Sequence, residues 1–172
     1  MLSQKMQDAL NDQINAEYYS SYLYLSMSAW CEQADLKGFA HWFRIQSQEE
    51  LLHVAKFFDY VFDRKGRVVV TSIQAPPADW KSPVDVFQAA LAHEQHVTAR
   101  ISKLASLSAA ENDFATHTLL EWFINEQVEE EASVDVIVQQ LKLAGDTPAV
   151  LFMLDRELGA RTLAPATGGT GA

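Results

Sequence analysis

Apolar residues recur at alternating spacings of three and four along four long stretches of the chain. In the second stretch, the residues with this spacing are Phe39, Phe43, Gln46, Glu50, His53, Phe57 and Tyr60. The spacing predicts the buried face of an α-helix inside a bundle. Near the middle of that face, however, the sequence has Glu50 and His53, which lie three residues apart and therefore share one side of the helix.

The other three stretches have polar residues at the centre of the same kind of face. In the first, from about Ser3 to Gln33, the face consists of Leu10, Ile14, Glu17, Ser21, Tyr24 and Ser28. In the third, it consists of Phe87, Leu91, Glu94, Thr98, Ile101 and Ala105. In the fourth, it consists of Leu120, Phe123, Gln127, Glu130, Val134, Ile137 and Leu141. Each predicted helix thus has a carboxylate near the middle of its buried face.

Turn and cap residues divide these helices. Residues 36–38 predict a short turn, and Gly66 predicts the C-terminal cap of the second helix. Residues 66–82 include β-prone valines and two prolines, so they predict a long connection that lets the third helix run parallel to the second. Ser82 before Pro83 predicts the start of the third helix, and Asn112 or Asp113 that of the fourth.

A shorter fifth helix is predicted from Asp146, Thr147 and Pro148 to about Gly159. Its apolar face consists of Val150, Leu151, Leu154 and Leu158. The pattern as a whole predicts an all-α protein, a four-helix bundle with one long crossover and a short fifth C-terminal helix.

Composition narrows the class of protein. The chain has 172 residues, 48% of them hydrophobic, which fits one globular domain. A net charge of −10 leaves no basic patch, so we expect no nucleic-acid partner. No apolar run approaches the roughly 18 residues of a membrane span, so we expect neither a membrane segment nor a signal peptide. The single cysteine, Cys31, fits a cytoplasmic location and predicts a small buried residue.

The mid-helix polar residues are predicted to meet at one level of the bundle. They are Glu17, Glu50, His53, Glu94, Gln127 and Glu130. Without a cation, four buried carboxylates would destabilise the fold through desolvation and mutual repulsion. Two divalent cations would balance their charge, and we expect Glu50 to bridge them. Oxygen ligands with one nitrogen suit iron or manganese, and zinc could also bind. The alternative at each helix is a hydrogen-bonded polar residue that only specifies packing.

The chain has the Glu-x-x-His spacing once, at Glu50 and His53, whereas di-iron bundles have it twice. Gln127 and Glu130 occupy the place of the second pair. The second metal is therefore expected to bind less tightly. This favours a site where iron is bound, oxidised and passed on over one that holds a permanent cofactor.

These motifs resemble those of prokaryotic non-haem ferritins. The likeness covers about residues 1–161 and rests on residues 13–19, 48–53, 93–94 and 126–131. It implies that one iron is held by Glu17, Glu50 and His53, and the other by Glu50, Glu94 and Glu130. It also implies that Gln127 and Tyr24 are weak ligands or contact the ligands, and that Tyr24 supplies a further electron. Haem is not expected, because Leu51 stands where bacterioferritins have a methionine.

The resemblance implies a third iron beside this pair. The matching residues are Glu49, Glu126, Glu129 and Glu130. Helical geometry supports this, because Glu49, Glu126 and Glu129 each precede a residue of the buried face and are rotated about 100° from it in the same sense. The alternative is a solvated acidic face of the kind common on helices.

The resemblance further implies a function. We expect residues 1–161 to form a ferritin-like di-iron domain and residues 162–172 a flexible tail. The expected protein is a cytoplasmic ferroxidase that oxidises Fe(II) with dioxygen and stores ferric oxyhydroxide mineral inside a homo-oligomeric shell of 24 subunits. The rival interpretations are a dimeric di-iron peroxidase or oxygenase, which the missing second Glu-x-x-His disfavours, and a purely structural bundle.

Overall fold

Five α-helices make up the regular structure of the computed structural model, which describes residues 2–145 and 147–163. They are α1 (Gln4–Gln33), α2 (Lys37–Asp63), α3 (Pro83–Ala110), α4 (Phe114–Ala144) and α5 (Pro148–Leu158). The described residues contain no strand, and the β-prone valines of the crossover are non-helical coil. Residues 164–172 of the predicted tail lie outside the described part of the chain.

The predicted helix starts are confirmed. The side chains of Ser3, Ser82 and Asp113 each accept a hydrogen bond from the backbone N–H three residues later, at 3.0, 3.3 and 3.2 Å. Each therefore satisfies one of the free N–H groups at a helix start. Thr147 precedes α5, with proline at its first position. Asp146, also predicted at this start, lies outside the described residues.

The predictions for the two ends of α2 are partly wrong. Lys37 already belongs to the helix, so the turn before it spans residues 34–36. At the other end, Lys65 and not Gly66 takes the left-handed conformation, with φ 56°. Gly66 instead donates its N–H to the carbonyl of Val61 at 2.8 Å, and a Cβ on Gly66 would lie 2.9 Å from that valine's side chain. Close packing therefore accounts for this glycine.

Two apolar clusters fill the two ends of the bundle and fix the helix directions. One cluster includes a residue from each long helix, in chain order Met27, Phe43, Phe87 and Val138. The other includes Leu10, Phe57, Ile101 and Leu120. Helices α2 and α3 therefore run parallel, and α1 and α4 run the opposite way. This arrangement confirms the predicted crossover.

The crossover runs along the outer side of α1. Asn11 accepts a hydrogen bond from the N–H of Val69 at 2.7 Å and donates one to the carbonyl of Arg67 at 2.9 Å. Further along α1, Ser26 donates to the carbonyl of Pro77 at 2.5 Å. Polar side chains of α1 thus satisfy backbone groups of the crossover that no strand partner satisfies.

Helix α5 packs across the end of the bundle beside the start of α2. Leu154 and Leu158 are buried there, while Val150, predicted on the same face, is 38% exposed. Cys31 is buried in this region, and burial raises the pKa of its thiol to about 12, which agrees with a packing residue. Among the described helices, none has the length and apolar content needed to cross a membrane.

Candidate metal centre

The polar residues predicted from the four helix faces lie together between the two apolar clusters. Glu17, Glu50 and Glu94 are no more than 2% exposed, and His53 and Glu130 are buried beside them. Tyr24 and Gln127, the two predicted weak ligands, are buried as well. The structure therefore brings the residues predicted to bind two irons together in the interior. Metal binding by these residues stays a prediction.

Glu17, Glu50 and His53 form one compact group. One ligand atom from each lies within 4.8 Å of the other two. The Nδ1 atom of His53 faces the carboxylates, 3.2 Å from Oε2 of Glu50 and 3.8 Å from Oε2 of Glu17. Two carboxylate oxygens and one imidazole nitrogen at these separations can surround a single divalent cation.

One oxygen of Glu17 is left without a partner. Gln13 donates to Oε1 of Glu17 at 2.7 Å. Oε2, by contrast, is buried and has no hydrogen-bond partner among the described residues. Leaving such an atom unsatisfied costs about 1–3 kcal/mol, and more when the group is charged. A cation between Glu17 and His53 would remove that cost.

Glu94 is held by neighbours on two other helices. The hydroxyl of Tyr24 donates to Oε1 of Glu94, and Nε2 of Gln127 donates to Oε2 at 3.1 Å. Gln127 also reaches the carbonyl oxygen of Glu94 at 3.2 Å. Tyr24 and Gln127 thus orient the carboxylate, which agrees with their predicted place next to the ligands.

Glu130 is held through a residue that sequence reasoning did not single out. Nε2 of Gln46, fully buried on α2, donates to Oε2 of Glu130. Oε1 of Gln46 in turn accepts from Nη1 of Arg161 at 2.6 Å. Gln46 lies one turn before Glu50 on the same buried face, so a polar residue on an apolar face could have identified it from sequence. No sequence pattern identifies Arg161, because its partners lie more than a hundred residues away in the chain.

Burial dominates the electrostatics of the cluster. It raises the pKa of Glu50 and Glu94, and it raises the pKa of Glu130 to about 8, helped by the charge of Glu94. Burial acts the same way on Glu17, but the imidazole of His53 close by outweighs it and lowers the pKa of that carboxyl. The metal-free cluster therefore keeps part of its protons, which a divalent cation would displace.

The predicted third-site residues lie at the edge of this cluster. Glu49 and Glu126 are half-buried and Glu129 is exposed. Burial raises the pKa of Glu126; the charge of His53 opposes that rise, and the negative charges of Glu129 and Glu49 add to it. A compact group here differs from the predicted set, because it joins Glu126 and Glu130 to His53, with ligand atoms within 4.8 Å of one another.

The fold and this cluster define the class: a helical bundle with a buried carboxylate and imidazole centre suited to metal ions. A family model, the ferritin-like domain, matches residues 7–144. The chain belongs to the ferritin family. It is 45% identical over 161 residues to the bacterial non-heme ferritin of Bacteroides fragilis, covering 94% of this chain and 100% of that protein. It is 38% identical over 162 residues to the bacterial non-heme ferritin of Staphylococcus aureus strain USA300, covering 94% and 98%.

Solved structures agree with this assignment. The chain is similar to an open pore ferritin of the hyperthermophilic archaeon Archaeoglobus fulgidus, with TM-score 0.93, 48% identity and coverage of 94% of this chain and 99% of that one. It is also similar to an engineered closed form of that ferritin, with TM-score 0.94, 48% identity and coverage of 95% and 100%. The predicted ferritin-like four-helix bundle is therefore confirmed.

Proposed function

We propose that this protein is an iron-storage ferritin that oxidises Fe(II) with dioxygen inside each subunit and keeps the ferric product as oxyhydroxide mineral in a shell of subunits. The observation that carries the proposal is the unpartnered Oε2 of Glu17, buried 3.8 Å from Nδ1 of His53. A buried anionic oxygen beside an imidazole nitrogen fits a cation better than it fits a hydrogen-bonded core.

The substrate irons would occupy two adjoining positions. Glu17, Glu50 and His53 bind the first Fe(II), and Glu50, Glu94 and Glu130 bind the second. His53 uses Nδ1, because that nitrogen faces the carboxylates. With one imidazole for two ions, the second position binds iron more weakly, which suits an ion that is released after oxidation.

The chain's own groups prepare this site for oxidation. Each Fe(II) gives one electron to dioxygen, and the carboxylates compensate the higher charge of the ferric product. Tyr24 and Gln127 hold Glu94 in place, and Gln46 holds Glu130. Tyr24 would supply a further electron to dioxygen, and its hydroxyl proton would pass to the Glu94 carboxylate that accepts its hydrogen bond.

A third iron would bind next to this pair. Glu49, Glu126, Glu129 and Glu130 form that outer acidic group, and we use the name in this sense below. Their position between the pair and the subunit surface suits an ion on its way into or out of the buried site.

Assembly into a shell would complete the storage function. Several large apolar side chains are exposed on the single chain, including Phe114 at 73% and Leu143 at 89%. Such exposure favours burial between subunits. A 24-subunit shell of 19.2 kDa chains has a mass of about 460 kDa. We place the protein in the cytoplasm, in agreement with its single, buried cysteine.

Aerobic Fe(II) addition tests the proposal. Several hundred irons per shell would be added to the wild type, to Glu50→Gln and to the control Asp59→Asn, an exposed change on the same helix. Ferric absorbance gives the rate of oxidation, and a sizing column reports whether iron migrates with protein. We expect fast oxidation with co-migrating iron in the wild type and the control, and slow oxidation in Glu50→Gln.

The rival interpretations predict other results. Fast oxidation with iron lost as precipitate, from a species of about 40 kDa, would indicate a dimeric di-iron peroxidase or oxygenase. Equal metal binding by the wild type and Glu50→Gln would indicate a purely structural bundle.

A further inference from the structure

Arg161, which follows α5, reaches back along α2 to the edge of the metal cluster. Its Nη2 lies 2.5 Å from Oε2 of Glu49, and its Nη1 lies 2.6 Å from Oε1 of Gln46. The guanidinium carbon lies 4.5 Å from the ring centroid of Trp42. These three contacts use the planar fork and the face of one guanidinium, an arrangement that lysine cannot reproduce.

The backbone at Arg161 is fixed as well. Nε2 of His41 lies 2.8 Å from the carbonyl oxygen of Arg161. Three turns of α5 precede it and are anchored to the start of α2 by Asp155, which accepts from the N–H of Gly38 at 2.8 Å. The arginine is therefore held in register with α2 and is not a freely moving surface side chain.

Both side chains that accept hydrogen bonds from Arg161 are part of the outer acidic group or contact it. Glu49 is itself a member of that group. Gln46 donates to Glu130, which belongs to the outer group and to the iron pair. The guanidinium of Arg161 thus neutralises Glu49 directly. It also fixes the amide of Gln46, which orients Glu130.

A metal ion in the outer acidic group would compete with this arginine. Oε2 of Glu49, one of the two oxygens that this residue can offer to such an ion, already accepts from Arg161, and two positive charges a few ångströms apart repel each other. We propose that Arg161 is a positioning residue that serves as the built-in counter-cation of the outer acidic group, so that a third metal ion binds there only by displacing it. This inference rests on the proposed function of the neighbouring pair.

The arrangement has a consequence for iron handling. Among the described residues, no lysine or arginine forms an ion pair with the carboxylates of the buried pair, so the pair fills first. An ion in the outer acidic group binds weakly and leaves easily, because Arg161 returns to Glu49 when the ion leaves. An easily emptied position next to the pair is what transfer of oxidised iron towards a mineral requires.

Zinc titration of the full-length, metal-free assembly tests this without any oxidation step. Calorimetry with Zn²⁺ would count the sites per subunit and give their affinities in the wild type, Arg161→Gln, Arg161→Lys and Arg156→Gln. The last variant removes the same charge from the exposed face of α5. Sizing chromatography would show that each variant assembles as the wild type does.

We expect Arg161→Gln to bind the third zinc about tenfold more tightly, while the affinities of the first two stay unchanged. Arg161→Lys keeps the charge, so we expect its third affinity to lie within about threefold of the wild-type value. Arg156→Gln should match the wild type. Adding Glu49→Gln to Arg161→Gln should abolish the gain, because the freed carboxylate is then absent.

Two outcomes would overturn the inference while leaving the proposed function in place. One is an unchanged third affinity in Arg161→Gln, and the other is an equal gain in Arg156→Gln, which would mean a general effect of net charge. Failure of the wild type to bind two zinc ions tightly would instead overturn the proposed function, and this inference with it.

Discussion

Asp155 in α5 caps the start of α2 by accepting hydrogen bonds from the backbone N–H groups of Gly38 and Phe39, at 2.8 and 3.0 Å. The residue at the ordinary capping position, Leu36, provides no side-chain hydrogen bond. The cap therefore comes from a residue 117 positions after Gly38 in the chain. It joins the fifth helix to the bundle through backbone groups that would otherwise be unsatisfied.

The same contact explains why residue 38 is glycine. A Cβ on Gly38 would lie 1.6 Å from the carbonyl oxygen of Asp155, a backbone atom that cannot move alone. We expect Gly38→Ala to displace α5 and to cost about 3 kcal/mol of unfolding free energy. Thermal unfolding of the assembled protein would measure the loss.

Gly159→Ala is the matched comparison for this prediction. Its Cβ would lie 3.2 Å from Cα of Gly38, a tight contact that a small shift relieves. We expect a clearly smaller loss of stability than in Gly38→Ala. Equal losses in the two variants would mean that close approach at residue 38 is not the cause.

The cluster of buried carboxylates was predictable from sequence because its signal is local to each helix. Glu17, Glu50, Glu94 and Glu130 each stand at a position where the helical repeat calls for an apolar residue. The repeat fixes the face of the helix, and the crossover fixes the level at which the faces meet. No long-range information is needed for that inference.

Contacts made across the fold were not predictable in this way. Asp155 and Arg161 read as ordinary surface residues in sequence, because their partners on α2 are separated from them by more than a hundred residues. The β-prone residues 68–70 form no strand, because Asn11 of α1 accepts from the N–H of Val69 and the described residues offer no strand beside them. Tertiary context decides such segments.

The salt bridge between Arg64 and Asp113 predicts a pH dependence of stability. Partial burial raises the pKa of Asp113, but hydrogen bonding with Arg64 outweighs it, so the pKa lies below its ordinary value. A carboxyl with a lowered pKa in the folded state stabilises the protein above its unfolded pKa of about 3.9 and loses that contribution as pH falls further. We therefore expect the contribution of Asp113 to disappear below about pH 4.

Asp113→Asn isolates this contribution, because the amide oxygen can still cap α4 while the charge is gone. Unfolding of both proteins would be followed from pH 7 to pH 2. The wild type should be the more stable of the two above pH 4, and the difference should shrink below it. A difference that stays constant across this range would contradict the assignment.

Tyr24→Phe tests the role of the hydroxyl that donates to Glu94. The ring is fully buried and its packing would be kept, so only the hydrogen bond is removed. We expect the first turnover of Fe(II) oxidation to slow about fivefold, equivalent to about 1 kcal/mol, with two irons still bound per subunit. Tyr22→Phe makes the same chemical change on the exposed face of α1 and should match the wild type in stopped-flow absorbance. A wild-type rate in Tyr24→Phe would remove Tyr24 from the mechanism.

Glu17→Gln separates the stability of the empty cluster from its affinity for metal. The amide can keep the acceptor that Gln13 uses, and its NH₂ group replaces the unpartnered oxygen. The metal-free variant should therefore stay within about 1 kcal/mol of the wild type in stability, because losing the attraction between Glu17 and His53 offsets the removal of a buried charge without a hydrogen bond. Zinc at about a hundred times its dissociation constant should stabilise the wild type by about 2.7 kcal/mol and should stabilise the variant far less. Thermal unfolding of both proteins, first with a chelator and then with zinc, would measure the stabilities.

If Glu17→Gln lowered the stability of the metal-free protein and kept the full gain from zinc, Glu17 would be a packing residue and the first metal position would have to lie elsewhere.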